Sequence, residues 1–262
     1  MKELKELIID KLHVRVFADR EELGACAGRE AADCIKDMLV NQPSVCVMFA
    51  AAPSQNETLA ELAADEEIDW TRVHAFHMDE YIGIEEDHPA SFRCFLKKAI
   101  FDKKPFASVN LINGSTENPE EEAARYEQLL KEHPLDVCIL GVGENGHIAF
   151  NDPPVADFDD PKLVKVVTLE ERCRLQQVHD GCFSELDKVP EKAITVTIPG
   201  LMAAKKLFCA VPSATKADAI KAMAQEEIST HCPATIMREH NHAELYLDAD
   251  SGKYLLCEEI SL

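Results

Sequence analysis

The chain has 262 residues, 46% of them hydrophobic, and 27 lysines and arginines against 48 aspartates and glutamates leave a formal charge of −21. That excess of acid excludes the clustered basic surface that nucleic acid rewards, and no apolar run approaches the roughly 18 residues of a membrane span. Met1 to Leu12 lacks the uninterrupted apolar core of a signal peptide, so the expectation is a cytoplasmic protein whose ten cysteines, with no C-x-x-C among them, are reduced core thiols.

In chain order, Lys11 to Ala18 alternates like a strand, and Asp19 with Glu22 forms a D-x-x-E capping box opening a long helix toward Leu39. Ser44 to Ala51 (SVCVMFAA) reads as a buried strand, after which Ser54 with Glu57 repeats the capping pattern. A helix amino terminus just after a strand end suits a phosphate, because its N–H groups are unpaired and its dipole end is positive. Thr71 to Met78 predicts a third strand, running straight into Asp79-Glu80-Tyr81. Pro89 to Ile100 predicts a helix, Val109 to Ile112 a short strand, and Asn118-Pro119 opens an acidic helix to about Glu132. Leu135 to Val142 is an apolar run of buried-strand length. Beyond it, Val155 to Lys162 is an acidic loop that could serve as a lid. Strands follow at Leu163 to Leu169, Ala193 to Ile198, Leu207 to Val211 and Glu244 to Asp248. Helices follow at Glu170 to Phe183, after Pro199-Gly200, after Ser213 and at Pro233 to Arg238. Alternation without a linker predicts an α/β fold: a single domain over residues 1–262, three-layer and Rossmann-like, with a largely parallel sheet and helices on both faces.

The chemistry concentrates in LDVCILGVGENGHIAFNDPP, Leu135 to Pro154. Gly141, Gly143 and Gly146 spell G-x-G-x-x-G after a strand, but Pro153-Pro154 forbids the helix a dinucleotide site needs at the third glycine. The strand leads instead to a histidine, His147, with Asn145 and Asp152 close in sequence. A histidine beside a carboxylate or amide is a tunable acid/base, since the partner sets its tautomer. Asp79, at another strand end with Glu80 beside it, is a candidate general base. The His240-x-His242 pair and His231-Cys232 supply too few ligands for zinc, so no metal and no cofactor is expected. No G-x-S-x-G occurs, which leaves a serine acyl-enzyme unsupported.

Three stretches together resemble one family. His77 to Gly83 (HMDEYIG), Gly141 to Asp152 (GVGENGHIAFND) and the helix carrying Lys216 are similar to the glucosamine-6-phosphate deaminases, also called isomerases. Val109 to Gly114 and His88 to Phe92 fit the same pattern, and the likeness runs from about Val45 to Lys216. The resemblance implies a cofactor-independent aldose–ketose isomerase that releases ammonia from a hexosamine 6-phosphate to give fructose 6-phosphate. Asp79 would move a proton between C2 and C1 of the opened sugar, and His147 would open the pyranose ring. Asp152 stands in the place of a family glutamate, and Asn145 where some members have aspartate. Lys216 and the backbone around Ala52 to Ser54 would hold the 6-phosphate, and Gly143 and Gly146 would be substrate-binding as well.

The chain departs from the family pattern in its phosphate loop, Ala50 to Gln55, where a glycine pair is usual and Pro53 lacks an N–H. Gln177 falls where members offer an arginine to the phosphate, with Arg172 and Arg174 upstream, and the resemblance implies Gln177 and Arg174 as substrate-binding residues. The resemblance also implies a homo-oligomer acting on a small phosphosugar, with neither nucleic acid nor membrane as partner. Two alternatives remain open at this point: a hydrolase like the phosphogluconolactonases of the same superfamily, and a sugar-phosphate-binding regulator without turnover.

Overall fold

Eleven strands run through the described residues, 3–257 of the computed structural model. They are β1 (Glu3–Ile9), β2 (Leu12–Phe17), β3 (Val45–Phe49), β4 (Val73–His77), β5 (Asp79–Tyr81), β6 (Ser108–Asn110), β7 (Val137–Leu140), β8 (Val164–Thr168), β9 (Lys192–Val196), β10 (Lys206–Val211) and β11 (Ala243–Asp248). Eight of them form one sheet in the order β1-β2-β11-β10-β7-β3-β4-β6. Every pairing in it is parallel except β1 with β2. The α/β fold with a largely parallel sheet expected from the sequence is seen over residues 3–257; residues 1–2 and 258–262 lie outside the described part.

The helices are α1 (Arg20–Asn41), α2 (Asn56–Ala64), α3 (Phe92–Leu96), α4 (Pro119–Glu132), α5 (Glu171–His179), α6 (Ile198–Met202), α7 (Ala217–Gln225) and α8 (Lys253–Cys257). They cover both faces of the sheet, and the strand period of two sorts the core accordingly. Cys46, Met48, Cys138 and Leu140 point into one core with Tyr126 of α4 and Ile220 and Met223 of α7. Val45, Val47, Phe49, Val137 and Ile139, from the same two strands, point into the other with Leu23 and Ile35 of α1 and Leu59 and Leu62 of α2. Burial on both faces is why β3 and β7 read as unbroken apolar runs rather than alternating ones.

The structure corrects the sequence reading in four places. Glu3–Ile9 is an edge strand, turned back onto β2 through Asp10 at φ 52°. Its alternating exposure leaves too little apolar signal to mark it. The chain segments read as further strands of the parallel sheet at Leu163 and Ala193 instead build a second, antiparallel sheet, β5-β9-β8. The run through Asp79 belongs to that second sheet, because the chain leaves the main sheet at Met78, whose carbonyl accepts from Val196 N–H at 2.8 Å. Finally, Ser54 caps no helix: a 3-10 turn at Pro53–Gln55 precedes α2, and Glu57 pairs with Arg20 at 2.8 Å rather than folding back. Asp19 does cap α1, accepting from Glu22 N–H at 2.8 Å.

The order of strands locates the crevice. From β3 the chain winds outward to β4 and β6, returns to β7 beside β3, and then winds the other way through β10 and β11. Loops leaving the carboxyl ends of β3 and β7 therefore diverge, and the gap between them is where open α/β sheets bind ligands.

Candidate active site

A cleft of about 540 Å³, counting its open mouth, lies at that switch point. Ala50 to Ala52, Ser54 and Gln55 line it from the loop after β3, and Gly141 to Gly143, His147, Ala149 and Phe150 from the loop after β7. Asp79 enters from β5, Gln176 and Gln177 from α5, and Lys216 from the turn after β10.

His147 is buried, and its ring is held on one side only. Nδ1 lies 2.7 Å from Asn145 Oδ1 and 2.9 Å from Asp152 Oδ1, both acceptors, so Nδ1 carries the proton. The neutral ring then keeps a lone pair on Nε2. Asp152 sits behind the ring; burial raises its carboxyl, but the hydrogen bonds from His147 and Asn145 outweigh that and hold it below the ordinary carboxylate range. Asn145 also donates to Glu170 Oε2 at 2.6 Å. Gly143 gives the imidazole its room, since a Cβ there would fall 2.2 to 2.4 Å from three ring atoms. Gly146 turns the loop at φ 82°, with Cys232 Sγ 2.6 Å from where a Cβ would stand. It therefore shapes the loop from behind and does not line the cleft.

The loop is anchored to the second sheet. Phe150 N–H donates to Thr195 Oγ1 at 3.1 Å, and Asn151 Nδ2 to the Val196 carbonyl at 2.9 Å. Thr195 is also the residue paired with Asp79 across β5 and β9. One short strand thus sets the position of both titratable groups.

Asp79 is 6% exposed, and its carboxyl has no hydrogen-bond partner among the described residues. Burial first, and the neighbouring Glu80 charge second, push it well above the usual carboxylate range. Glu80 points the other way. Its carboxylate accepts from Tyr81 N–H, Ser91 Oγ, Phe92 N–H and Arg93 N–H at 2.9 to 3.1 Å and pairs with Arg93 Nε at 2.9 Å. It fixes the start of α3 and does not serve as a proton-sharing partner of Asp79.

Lys216, which lines the same cleft, is 5% exposed with no partner for its ammonium among the described residues. Burial lowers its pKa. An unpaired buried cation beside a strand-to-helix turn is prepared for an anion. Ser54 also lines the cleft, its Oγ accepting from Gln55 Nε2 at 3.2 Å, while the same Nε2 reaches the Ala210 carbonyl at 3.0 Å. Gln55 ties the two loops together; nothing in the sequence marked it, because its role depends on β10 lying next to the β3 loop. Gln177 lines the cleft as expected, joined by Gln176, which accepts from Glu144 N–H at 2.9 Å.

Arg174 does not reach the cleft. Its Nη2 donates to the carbonyls of Leu186 and Val189 at 3.0 and 2.8 Å and pins the loop after α5. Gln177, three residues further on, shares that side of α5, so it is the pull of these two carbonyls, and not helix phase, that keeps Arg174 out of the cleft. The Val155 to Lys162 segment also lies away from the cleft, held by Lys165 Nζ to the Val155 carbonyl and Asp160 at 2.7 and 2.8 Å.

Among the described residues one group, His147, Asp152 and Cys173, brings three possible metal-ligand atoms within 4.8 Å of one another. Its donors do not suit an ion. The Nδ1 proton already bridges to Asp152, and burial, followed by the Asp152 charge, pushes the Cys173 thiol up, away from the thiolate a metal requires.

The family model for glucosamine-6-phosphate isomerases/6-phosphogluconolactonase matches residues 18–247. The chain belongs to this family. Among its relatives, a glucosamine-6-phosphate deaminase of Exiguobacterium sibiricum is 34% identical over 84% of this chain and 86% of its own. One of Lacticaseibacillus paracasei is 30% identical over 93% of this chain and 99% of its own. A solved structure described as a monomeric glucosamine-6-phosphate deaminase superposes with a TM-score of 0.84 at 28% identity, covering 92% of this chain and 98% of that one. A 6-phosphogluconolactonase of Thermotoga maritima superposes with a TM-score of 0.75 at 17% identity, covering 91% and 100%, and shares the fold. In the glucosamine-6-phosphate isomerase/6-phosphogluconolactonase family the chain keeps a histidine and a carboxylate on one cleft together with a buried lysine, and among the described residues no arginine lines that cleft.

Proposed function

We propose that the protein is a glucosamine-6-phosphate deaminase, converting the amino sugar phosphate and water to fructose 6-phosphate and ammonia. The observation that carries this reading is the presence, lining one cleft, of an imidazole, a carboxyl and a buried ammonium whose Nε2, oxygens and Nζ have no partner among the described residues. Lys216, Ser54 and the backbone at Ala52 hold the phosphate, with Gln177 as a neutral donor. His147 moves a proton between the anomeric hydroxyl and the ring oxygen, so that the pyranose opens to the aldehyde. Asp79 takes the proton from C2 and returns it at C1, through an enolamine, leaving the 2-imine of the ketose. Water adds to C2, ammonia leaves, and fructose 6-phosphate is released. Asp152 and Asn145 act on His147 from behind and touch no substrate. Gly143 keeps the ring in place, and Gly146 holds the loop's turn.

A base with a raised pKa is suited to removing a proton from carbon, because a stronger base provides more driving force. A lactone hydrolase needs a water-activating histidine but no second base at Asp79, so the retained carboxyl favours the deaminase reading. The test is direct: purified protein is supplied with glucosamine 6-phosphate and, in parallel, with 6-phosphogluconolactone. Ammonia and fructose 6-phosphate in equal amounts are expected. Lactone turnover without ammonia from any amino sugar overturns the proposal, and saturable binding without product supports the regulator instead.

The cytoplasmic setting and the homo-oligomer belong to the same proposal. No helix among the described residues is long and apolar enough to cross a membrane, and all ten cysteines are free. Light scattering tests assembly: a mass that is a multiple of one chain supports the oligomer, and the mass of one chain removes it.

A further inference from the structure

The cluster behind His147 holds one acidic side chain to which the proposed reaction gives no part. Glu170 stands at the amino end of α5, yet its carboxylate makes no capping bond to that helix. Its Oε2 accepts instead from Asn145 Nδ2 at 2.6 Å, and the same Nδ2 donates to Asp152 Oδ1 at 3.0 Å. A primary amide has its two N–H donors at one end and its carbonyl oxygen at the other. Two carboxylate oxygens facing one end of Asn145 therefore permit a single orientation, since the flipped amide would set its own oxygen against both.

With Nδ2 held there, Asn145 Oδ1 must face His147. It accepts from His147 N–H at 3.1 Å and lies 2.7 Å from Nδ1. An acceptor at that place requires the proton on Nδ1 and leaves Nε2 as the lone-pair atom. Asp152 favours the same tautomer, since its Oδ1 also accepts at Nδ1, but that oxygen is shared with Asn145 Nδ2, so the stronger acceptor at Nδ1 is the Asn145 oxygen at 2.7 Å. The Glu170 contact comes from a different element and is the shorter of the two bonds to Nδ2.

We infer that Glu170 is a positioning residue which, by orienting the Asn145 amide, holds His147 in its Nδ1–H tautomer. The kinetic consequence rests on the deaminase reading; the tautomer itself does not. The experiment uses the full chain with Glu170→Ala and Glu170→Gln. Nitrogen-15 NMR of the histidines, with the His147 signal assigned by His147→Gln, is expected to show one protonated Nδ1 in the wild type and mixed tautomers in Glu170→Ala. Glu170→Gln keeps an acceptor oxygen and is expected to restore the wild-type pattern. Ammonia release in Glu170→Ala should fall about 10-fold to 100-fold in kcat, as when other side chains that orient a histidine are lost, with KM nearly unchanged. An unchanged tautomer in Glu170→Ala overturns the inference, as does equal loss in both variants with a parallel fall in Tm. If the wild type releases no ammonia, the deaminase reading fails while the NMR result still decides the role of Glu170.

Discussion

Two side chains in the cleft are buried in a charge state that the fold opposes. Asp79 is pushed up by burial, so folding favours its protonated form; that stability is full at acid pH and is lost as pH rises through the raised value. Asp79→Asn keeps the shape without the charge and breaks no hydrogen bond among the described residues. The variant is expected to lose about 10²-fold to 10⁴-fold in kcat, as for removal of a general base. Its Tm at pH 8 should exceed that of the wild type by roughly 2–8 °C, the shift made by about 1–2 kcal/mol in a chain of this size. The gap should close toward pH 4, and a Tm gap that widens instead would contradict the burial argument. Lys216 is the mirror case: burial lowers its pKa, so the charged form is the costly one and the cost eases as pH rises. Lys216→Met should hold or raise Tm at pH 7 while raising KM by about 10²-fold, the scale of losing one partner of a buried charge pair. Inorganic phosphate should raise the Tm of the wild type and not of the variant, which calorimetry can read.

At the scale of elements, the small sheet decides the site. Its β9 strand pairs with β5 to place Asp79 and accepts Phe150 and Asn151 of the histidine loop, so Asp79 and His147 share one support. Glu80 and Arg93 secure β5 against α3 through a buried, fully hydrogen-bonded ion pair. The loop after β7 depends on close approach. Gly143→Ala would put a methyl within 2.2 Å of the His147 ring, and the ring cannot retreat because Asn145 and Asp152 hold its far side. Overpacking of this kind costs about 1–3 kcal/mol. Urea unfolding should show that loss, and ammonia release should fall by more than Tm alone explains. A variant with normal kcat would mean that the imidazole has another place to sit.

For the whole molecule, the charge of −21 repels an anionic substrate at long range, while Lys216 is the one lysine or arginine among the described residues lining the cleft. Long-range repulsion is screened by salt, whereas a buried contact is screened much less. Raising salt from about 10 mM to about 150 mM, which shortens the screening length to near 8 Å, should therefore increase kcat/KM for glucosamine 6-phosphate and leave kcat almost unchanged. A fall in kcat/KM over that range would mean that local attraction at the cleft outweighs the global field.

The parallel core and half of the cleft were legible in the residues themselves. Val45 to Phe49 and Val137 to Leu140 announce themselves because a strand buried on both faces must be apolar throughout. The glycine-histidine loop follows one of them directly, so Gly143, His147 and Asp152 are neighbours along the chain as well as in space. Asp79 and Ser54 were found as strand-end and helix-start residues, a position that sequence order indicates, whereas Gln177 and Lys216 came from the family resemblance. What the tertiary structure decided lay in contacts between distant segments. The antiparallel sheet needs β5, β8 and β9 to meet although β5 lies far from the other two along the chain, and its short strands look no different from members of the main sheet. Arg174 turned away and Gln55 turned in because the carbonyls of the loop after α5 and the packing of β10 beside the β3 loop set their directions. Residue type and local order specify which groups can do chemistry; only the packing of remote elements sets which of them face one another.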